Sequence, residues 1–568
     1  MTIVGDEPRP APVGRGRRAL VVATVVAAAV VAAVRWYVAR RLQVFTLIPD
    51  EAAQLSMART VAGDRWSMID YSTFRPGFSF LAAPIYWFAD EPVTGLRSVF
   101  VLNAVLGGVT CALLVVAARR LTTMARWQCV AAAMLVSLGP ALLFTTRYAW
   151  AEVLVQPLVV GAVLALLWLH DTPSVGRGVL ALGLAIAGFT THSRLLPLVL
   201  LAAGSVAVLA WQRRLTWREA GVTGLVGLAM LAVSWWLAAR MVDLTWTDPY
   251  TTNSFSGAFA QWRQVGSMFA TAAGHVWYQL AASAGLVGLG AWAALAPGRR
   301  ARSTARRDGL LVVLAIGALM LLSVAFLAGR PRADRLVYGR YTDPATALLV
   351  LMGIGLVLRR GWRTVARWAL VAGVTVALAG YLLALRREEV EATGMLRPMI
   401  LGVQPFMSGH VTIPVLRISL LSVAVMAVLA VVALLPRRPR GYVLVVVLAL
   451  LILVGDRRTG RALDRSLNAR APAGAVRDVE GDLLPPGAPV RVLVTDGSSV
   501  NREAQRQRIQ LYQFYLPGHR FDVDGEEPAP TPYVFAPVDA PALVALGDGA
   551  VVAWVEPSVD MALWVVAT

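Results

Sequence analysis

Residues 15–37 read Arg-Gly-Arg-Arg-Ala-Leu-Val-Val-Ala-Thr-Val-Val-Ala-Ala-Ala-Val-Val-Ala-Ala-Val-Arg-Trp-Tyr. A helix needs about 20 mostly apolar residues to cross the bilayer core, and the span read here covers 19–38. The basic segment before it would also suit a secretion signal. The run ends in Arg35-Trp36-Tyr37 without a small-residue cleavage site, so it reads as a retained helix. Windows of the same kind recur near 97–118, 126–145, 150–169, 178–191, 195–211, 220–240, 273–296, 309–328, 343–358, 367–385, 412–435 and 441–455, which makes thirteen spans.

Composition agrees. The 568 residues are 57% hydrophobic and 15% charged, with a mean hydropathy of +0.62; soluble domains carry about 25% charge. Disorder and collagen are excluded by the apolar excess and the lack of a glycine period. Cys111 and Cys129 lie in apolar runs and supply neither a disulfide framework nor a zinc knuckle. The formal charge is +19, and all 53 cations are arginine. They stand as short clusters between apolar segments, which suits membrane orientation and argues against nucleic acid as a partner.

With 1–18 in the cytoplasm, Arg119-Arg120, Arg213-Arg214, Arg299-Arg300 to Arg306-Arg307, Arg359-Arg360 and Arg437-Arg438 all fall inside. Those inner segments hold about 23 arginines against roughly 5 acids, as positive-inside retention predicts. Thirteen spans then put 456–568 outside, after a membrane domain over 19–455. The outer loops also hold roughly 19 arginines, which retention does not call for; an anionic ligand would.

The tail reads as a small α/β domain. Pro489–Thr495 is a buried strand closed by a turn at Asp496-Gly497, Asn501–Tyr515 is a helix, and Ala550–Glu556 and Met561–Ala567 are further strands. It has no phosphate loop, nucleophile elbow or metal-ligand cluster, so support or acceptor binding suits it better than chemistry.

Candidate chemistry lies in the outer segments. The first outer loop, 39–96, opens with Pro49-Asp50-Glu51 and an amphipathic pattern over Ala52–Ala62. Asp70-Tyr71-Ser72-Thr73-Phe74-Arg75-Pro76-Gly77 follows, then a half-length apolar stretch, Phe78–Phe88, expected to lie along the interface. Glu152 stands just inside the outer end of the fourth span, where an ionisable group is costly and marks function by default; Arg147 is the alternative, structural partner for it. His192 and Arg194 interrupt two apolar runs at the outer face. The segment Arg330–Pro344 carries Arg335, Tyr338, Arg340 and Tyr341; arginine forks grip phosphate, and tyrosines bond or stack on sugars. His275, Trp277 and Tyr278 read as interface anchors.

This order of residues resembles the GT-C superfamily of membrane glycosyltransferases. The features are an acidic pair after the first span, Phe74-Arg75-Pro76 before an interfacial helix, an acid atop a middle span, an outer Gly339-Arg340-Tyr341 and a soluble outer tail. The nearest branch holds lipid A aminoarabinose transferases and protein O-mannosyltransferases, with actinobacterial arabinofuranosyl- and mannosyltransferases as further relatives. Ala53-Gln54 follow the acidic pair where the family has tyrosine, and Arg75 stands where the aminoarabinose branch often has lysine. The resemblance implies a polytopic α-helical protein of GT-C type, with interfacial helices in its first outer loop and a C-terminal extracytoplasmic α/β domain. It also implies transfer of a hexosyl or pentosyl group from a polyprenyl-phosphate sugar to an envelope glycan, lipid or protein hydroxyl.

A phosphate leaving group needs positive charge rather than a strong acid, which suggests Arg75, Arg194, Arg335 and Arg340. Asp50 would accept the hydroxyl proton, with Glu51 and Glu152 orienting the acceptor or tuning that carboxylate. Direct displacement would invert the anomeric centre, and attack by Glu152 would retain it. No nucleotide is expected. A divalent cation near the acids stays open, although no ligand spacing supports one. The rival class is a transporter or lipid-linked sugar flippase, whose charges would sit nearer the midplane. A third reading, an envelope scaffold, leaves the outer charges without a shared role.

Overall fold

The computed structural model of the protein describes residues 13–45, 50–64, 75–245, 265–295, 303–328, 334–393, 397–407, 413–468, 471–496, 498–523, 531–545, 547–556 and 559–567. Pro49, Asp70–Phe74, Arg330–Ala333 and Gly497 lie outside them.

Each of the thirteen apolar segments meets helix. The first outer loop follows α1 (Val13–Ala39) and holds α2 (Asp50–Ala62) and α3 (Gly77–Ala82). The bundle continues with α4 (Pro92–Leu121), α5 (Arg126–Leu138), α6 (Pro140–Leu143), α7 (Glu152–Asp171), α8 (Val175–Thr191), α9 (Leu196–Trp211) and α10 (Trp217–Thr245). Then come α11 (Val265–Ala282), α12 (Leu286–Leu295), α13 (Ser303–Leu327), α14 (Asp343–Arg359), α15 (Trp362–Ala384), α16 (Arg387–Thr393), α17 (Val415–Val432) and α18 (Arg437–Asn468). Among the described residues nine helices are long and apolar enough to cross a membrane, and two bent pairs make up to eleven. The 17-residue α8 is a shorter apolar helix, and α14, also of 17 residues, meets the remaining segment. Helix α14 is buried along nearly its whole length, so it is the hub of the bundle.

The two bends have local causes. The segment from α5 into α6 turns by 62° at Gly139-Pro140, where proline lacks the N–H that would continue the ladder. A buried Arg35 compensates there, donating to the Ser137 carbonyl at 3.0 Å and to Gln156 Oε1 at 3.1 Å. Between α11 and α12 the chain turns by 103° through Ala284 and Gly285, at φ 47° and 76°. Beyond that bend the backbones touch: a Cβ on Gly290 would lie 1.8 Å from the Leu349 carbonyl oxygen of α14. Gly290→Val should therefore lower stability by at least about 1–3 kcal/mol, the range for an overpacked core, read as a drop in thermal midpoint in detergent.

Charge sorts the two ends of the bundle. At one end Arg120 pairs with Asp171 and Asp308 at 2.7 and 2.6 Å, and Arg307 joins the same two acids at 2.6 and 2.7 Å. These residues belong to segments that the arginine pattern assigns to a single side.

One expectation is corrected by the packing. His275, Trp277 and Tyr278 are fully buried rather than interface anchors, because α11 lies inside the bundle; Trp277 donates to Ser419 Oγ at 2.9 Å. The amphipathic α2 begins at Asp50 and is buried from Glu51 to Arg59, and its Ala52, Leu55 and Ala58 belong to an apolar core that includes tail residues. The stretch Phe78–Phe88 is divided between α3 and a 3₁₀ turn over Ala83–Trp87, with Phe88 87% exposed.

Helix α18 continues to Asn468, past the 455 limit of its apolar run. Beyond it lies a five-stranded sheet in the order β2-β1-β3-β5-β4. Its strands are β1 (Val490–Val492), β2 (Phe521–Val523), β3 (Tyr533–Pro537), β4 (Ala550–Val555) and β5 (Met561–Val566). β1 is parallel to both its neighbours, and β3, β5 and β4 run antiparallel. Between β1 and β2, α19 (Arg502–Tyr515) starts on an Asn501 cap whose Oδ1 accepts from Ala504 N at 2.9 Å. The short β2 and β3 carry too few alternating residues to stand out in the sequence. The sheet and α19 share one apolar core with the first outer loop and α4: Phe45, Leu55, Phe78 and Phe100 lie in one cluster with Tyr512, Phe514 and Phe535, and Phe45 meets Phe514 edge-on at 5.0 Å.

Candidate active site

Asp50 opens α2, Glu152 opens α7, and Arg340 lies in the turn that leads into α14. Residues 290 positions apart in sequence meet here: Arg340 Nη1 donates to Asp50 Oδ2, and its Nε donates to Glu152 Oε1. The guanidinium stacks on Trp150 at 4.2 Å. Side-chain exposure grades across the cluster, from 1% for Glu152 and 6% for Arg340 to 18% for Asp50. Asp50 is thus the carboxylate open to an incoming molecule. Glu152 is enclosed, and its Oε2 has no hydrogen-bond partner among the described residues. Burial alone would push the Arg340 guanidinium down, but Asp50 and Glu152 outweigh it and hold it well above its ordinary value.

The turn holding Arg340 is built from backbone. Gly339 N and Arg340 N donate to the Met399 carbonyl at 2.9 and 3.2 Å, and Thr342 N and Asp343 N return to the Gly339 carbonyl, each at 2.9 Å. Glycine is needed at 339 because a Cβ would lie 2.0 Å from the Tyr278 ring. Gly339→Ala should displace the turn and lower both stability, by about 1–3 kcal/mol, and any activity that depends on Arg340. Thermal midpoint and turnover of one purified preparation check this together.

His192 and Arg194 flank the cluster. His192 Nε2 lies 3.8 Å from Glu152 Oε1, and its Nδ1 accepts from Arg194 N at 3.2 Å. Burial first, and then the charges of Arg194, Arg340 and Arg75, hold the imidazole well below its ordinary value and so neutral. The Arg194 guanidinium covers the Tyr341 ring at 3.3 Å and Phe326 at 4.0 Å. Tyr341 meets Tyr338 at 4.5 Å. Tyr338 is wholly buried, its hydroxyl is without a partner among the described residues, and burial raises that hydroxyl well above its ordinary value.

Arg75 has another environment. It lies over Phe189 at 4.3 Å and Trp235 at 5.2 Å, with no carboxylate partner among the described residues. Burial lowers its guanidinium. Its carbonyl accepts from Gln54 Nε2 at 3.4 Å, and Ser79 Oγ donates to Gln54 Oε1 at 2.7 Å, which ties α3 to α2. Gly77 lets α3 close on α8, since a Cβ there would lie 2.5 Å from Thr191 Oγ1.

The remaining expected residues are placed elsewhere. Arg335 is bound by Glu389, its Nε at 3.1 Å from Oε2. Glu51 is fully buried and its Oε1 accepts from Ala149 N at 2.6 Å, so it anchors the chain that carries Trp150 and Glu152. Arg147 pairs with Asp464 at 2.6 Å, and the partner of Glu152 is Arg340 instead. Sequence reading did not single out Trp150 or Met399, whose Sδ lies 3.7 Å from Arg340 Nη1. An aromatic two residues before a membrane acid was the available signal for Trp150; Met399 offered none. Among the described residues no three His, Cys, Asp or Glu side chains are placed to hold a metal ion.

No family model matches the chain, and no curated protein matches it in sequence. Solved structures do. ArnT from Cupriavidus metallidurans bound to undecaprenyl phosphate superposes with a TM-score of 0.54 at 18% identity, over 95% of this chain and 97% of that one. The same protein in its apo state gives 0.53 at 17% identity, over 97% and 98%. The chain therefore shares the fold of ArnT over nearly its whole length.

Proposed function

We propose that the protein is a glycosyltransferase that moves a sugar from a polyprenyl-phosphate carrier to an acceptor hydroxyl on the extracytoplasmic side of the membrane. The observation that carries the reading is the Asp50–Arg340–Glu152 cluster at one end of the bundle, with an uncommitted arginine, Arg75, beside the same loop. The shared fold with ArnT, whose structure holds undecaprenyl phosphate, supports a carrier of that class. A tail outside the cell and an N-terminus in the cytoplasm follow from the arginine pattern.

In this mechanism the acceptor hydroxyl oxygen attacks the anomeric carbon, the bond to the phosphate oxygen breaks, and Asp50 takes the hydroxyl proton. The phosphate leaves with the bonding pair toward Arg75. Arg340 holds the Asp50 carboxylate in place, while Glu152 fixes the guanidinium from the enclosed side. Glu152 is enclosed and held by Arg340, so direct displacement with inversion is favoured over attack by Glu152.

The test is sugar transfer or release by the purified protein from a panel of polyprenyl-phosphate sugars. Turnover of one donor supports the reading, and movement of intact lipid-linked sugar across a vesicle without transfer would replace it with the flippase. Arg75→Ala should weaken binding of undecaprenyl phosphate by about 10–100-fold, as expected for losing a charge-assisted contact. Titration of the phosphate lipid into nanodiscs measures it, and unchanged affinity would remove Arg75 from the site.

A further inference from the structure

Between the 3₁₀ turn Phe144–Arg147 and the start of α7 at Glu152, the chain runs through Tyr148–Ala151 with neither helix nor strand. Every residue from Thr145 to Glu152 is buried, so the backbone polar groups of this irregular stretch must find partners inside the protein. Glu51 of α2 takes the Ala149 N–H. The carbonyls of Thr146 and Tyr148 both go to one side chain, Asn103 of α4, whose Nδ2 donates to them at 3.2 and 2.8 Å.

Asn103 is itself fully enclosed, within the apolar run 97–118, where an amide is costly unless it is bonded. Its Oδ1 has no hydrogen-bond partner among the described residues, so the amide is used through its nitrogen. Two N–H donors on one atom suit two carbonyls; a hydroxyl has one donor and an ionised carboxylate none. The clamped stretch leads directly into the charged cluster. Tyr148, whose carbonyl takes the shorter bond, packs its ring on Trp150 at 4.5 Å, and the Arg340 guanidinium lies over Trp150 at 4.2 Å. Glu152, next along the chain, accepts from Arg340 Nε. A shift of this backbone would therefore carry Trp150 and Glu152 with it. Arg75 is held separately, by Phe189, Trp235 and Gln54.

We propose that Asn103 is a positioning residue for transfer. By clamping the Thr146 and Tyr148 carbonyls to α4 it sets where Trp150 and Glu152 stand, and through them where Arg340 meets Asp50. The inference rests on the transferase reading and adds to it a residue that acts only through others. Misplacing a catalytic group by about 1 Å can cost roughly 10²-fold in rate. The clamp therefore bears on the rate of transfer and leaves the grip on the carrier phosphate, assigned to Arg75, as it is. An amide that merely completed the hydrogen bonding of a buried turn would act on stability and not divide the two.

The test compares the full chain with Asn103→Leu, which is branched at Cγ like asparagine but has no donors. The kcat for transfer should fall by about 10–100-fold, while the dissociation constant of undecaprenyl phosphate in nanodiscs is unchanged. Hydrogen exchange, which needs no turnover, should accelerate at the amides of 145–151 and stay at the wild-type rate in α14 and the tail. Unchanged kcat would overturn the proposal. So would a parallel loss of rate and lipid affinity, or faster exchange across the whole bundle, since either means general loosening. Asn103→Ser keeps one donor and adds no bulk; it carries the same comparison should the leucine variant not fold, with a smaller fall in kcat expected. A wild-type protein that moves lipid-linked sugar without transferring it would sink the transferase reading, and faster exchange confined to 145–151 would still assign the clamp to Asn103. Exchange unaltered in that segment would overturn the clamp whatever the protein catalyses.

Discussion

Asp50→Asn should cut sugar transfer by about 10²-fold or more, the usual worth of a positioned general base, with the fold kept. The amide has the carboxylate's shape and still offers an oxygen to Arg340, so the contact that orders the cluster survives in weaker form. What is lost is the capacity to take a proton. The change should therefore appear in kcat, with the dissociation constant for the phosphate lipid moved little. Full transfer by the variant would move the base to another carboxylate, and Glu152 is the one that shares Arg340. A parallel loss of lipid affinity would instead say that Asp50 shapes the site without taking the proton.

Removing the cation should do more damage than removing the base. Arg340→Gln leaves Glu152 enclosed without its partner and Asp50 beside it. Breaking a buried pair in this way costs about 3–5 kcal/mol, enough to lower the thermal midpoint by several degrees or to prevent accumulation of folded protein. Transfer should fall below the level of Asp50→Asn, because two groups lose their places at once. The double variant Arg340→Gln with Glu152→Gln separates the two consequences. Replacing the enclosed carboxylate by an amide relieves the unpaired charge, so the midpoint should recover while transfer stays lost. A double variant no more stable than the single one would mean that Arg340 supports the turn through its contacts with Trp150 and Tyr341 rather than through charge.

The bundle was legible because a membrane span is a long uniform signal: sixteen uncharged residues from Ala19 to Val34 have one reading whatever surrounds them. The acids were legible for the related reason that Glu152 breaks an apolar run. Assignments within the cluster were not. Arg147, Arg335 and Arg340 look alike along the chain, and only folding determines that Arg147 meets Asp464, Arg335 meets Glu389 and Arg340 meets the two acids. Glu51 resembles Asp50 in sequence, yet one residue of helix rotation turns it about 100° away, from the open cluster to the Ala149 amide. His275, Trp277 and Tyr278 misled because an aromatic group at the end of an apolar run is equally at home at an interface or in a core.

The core shared by the first outer loop and the tail sets the timing of the protein's biogenesis. α2 leaves the ribosome early, but Phe535, part of the same core, follows more than 470 residues later. At about 5–20 residues per second that interval is roughly half a minute to a minute and a half. Until it ends, Phe45 and Leu55 wait without their partners and Asp50 is held by an incompletely packed helix. The Asp50–Arg340–Glu152 cluster therefore cannot settle on a nascent or truncated chain, and a chain cut short within the tail would be inserted in the membrane without it. Quality control of such a product would meet an uncovered apolar face on the loop that holds α2.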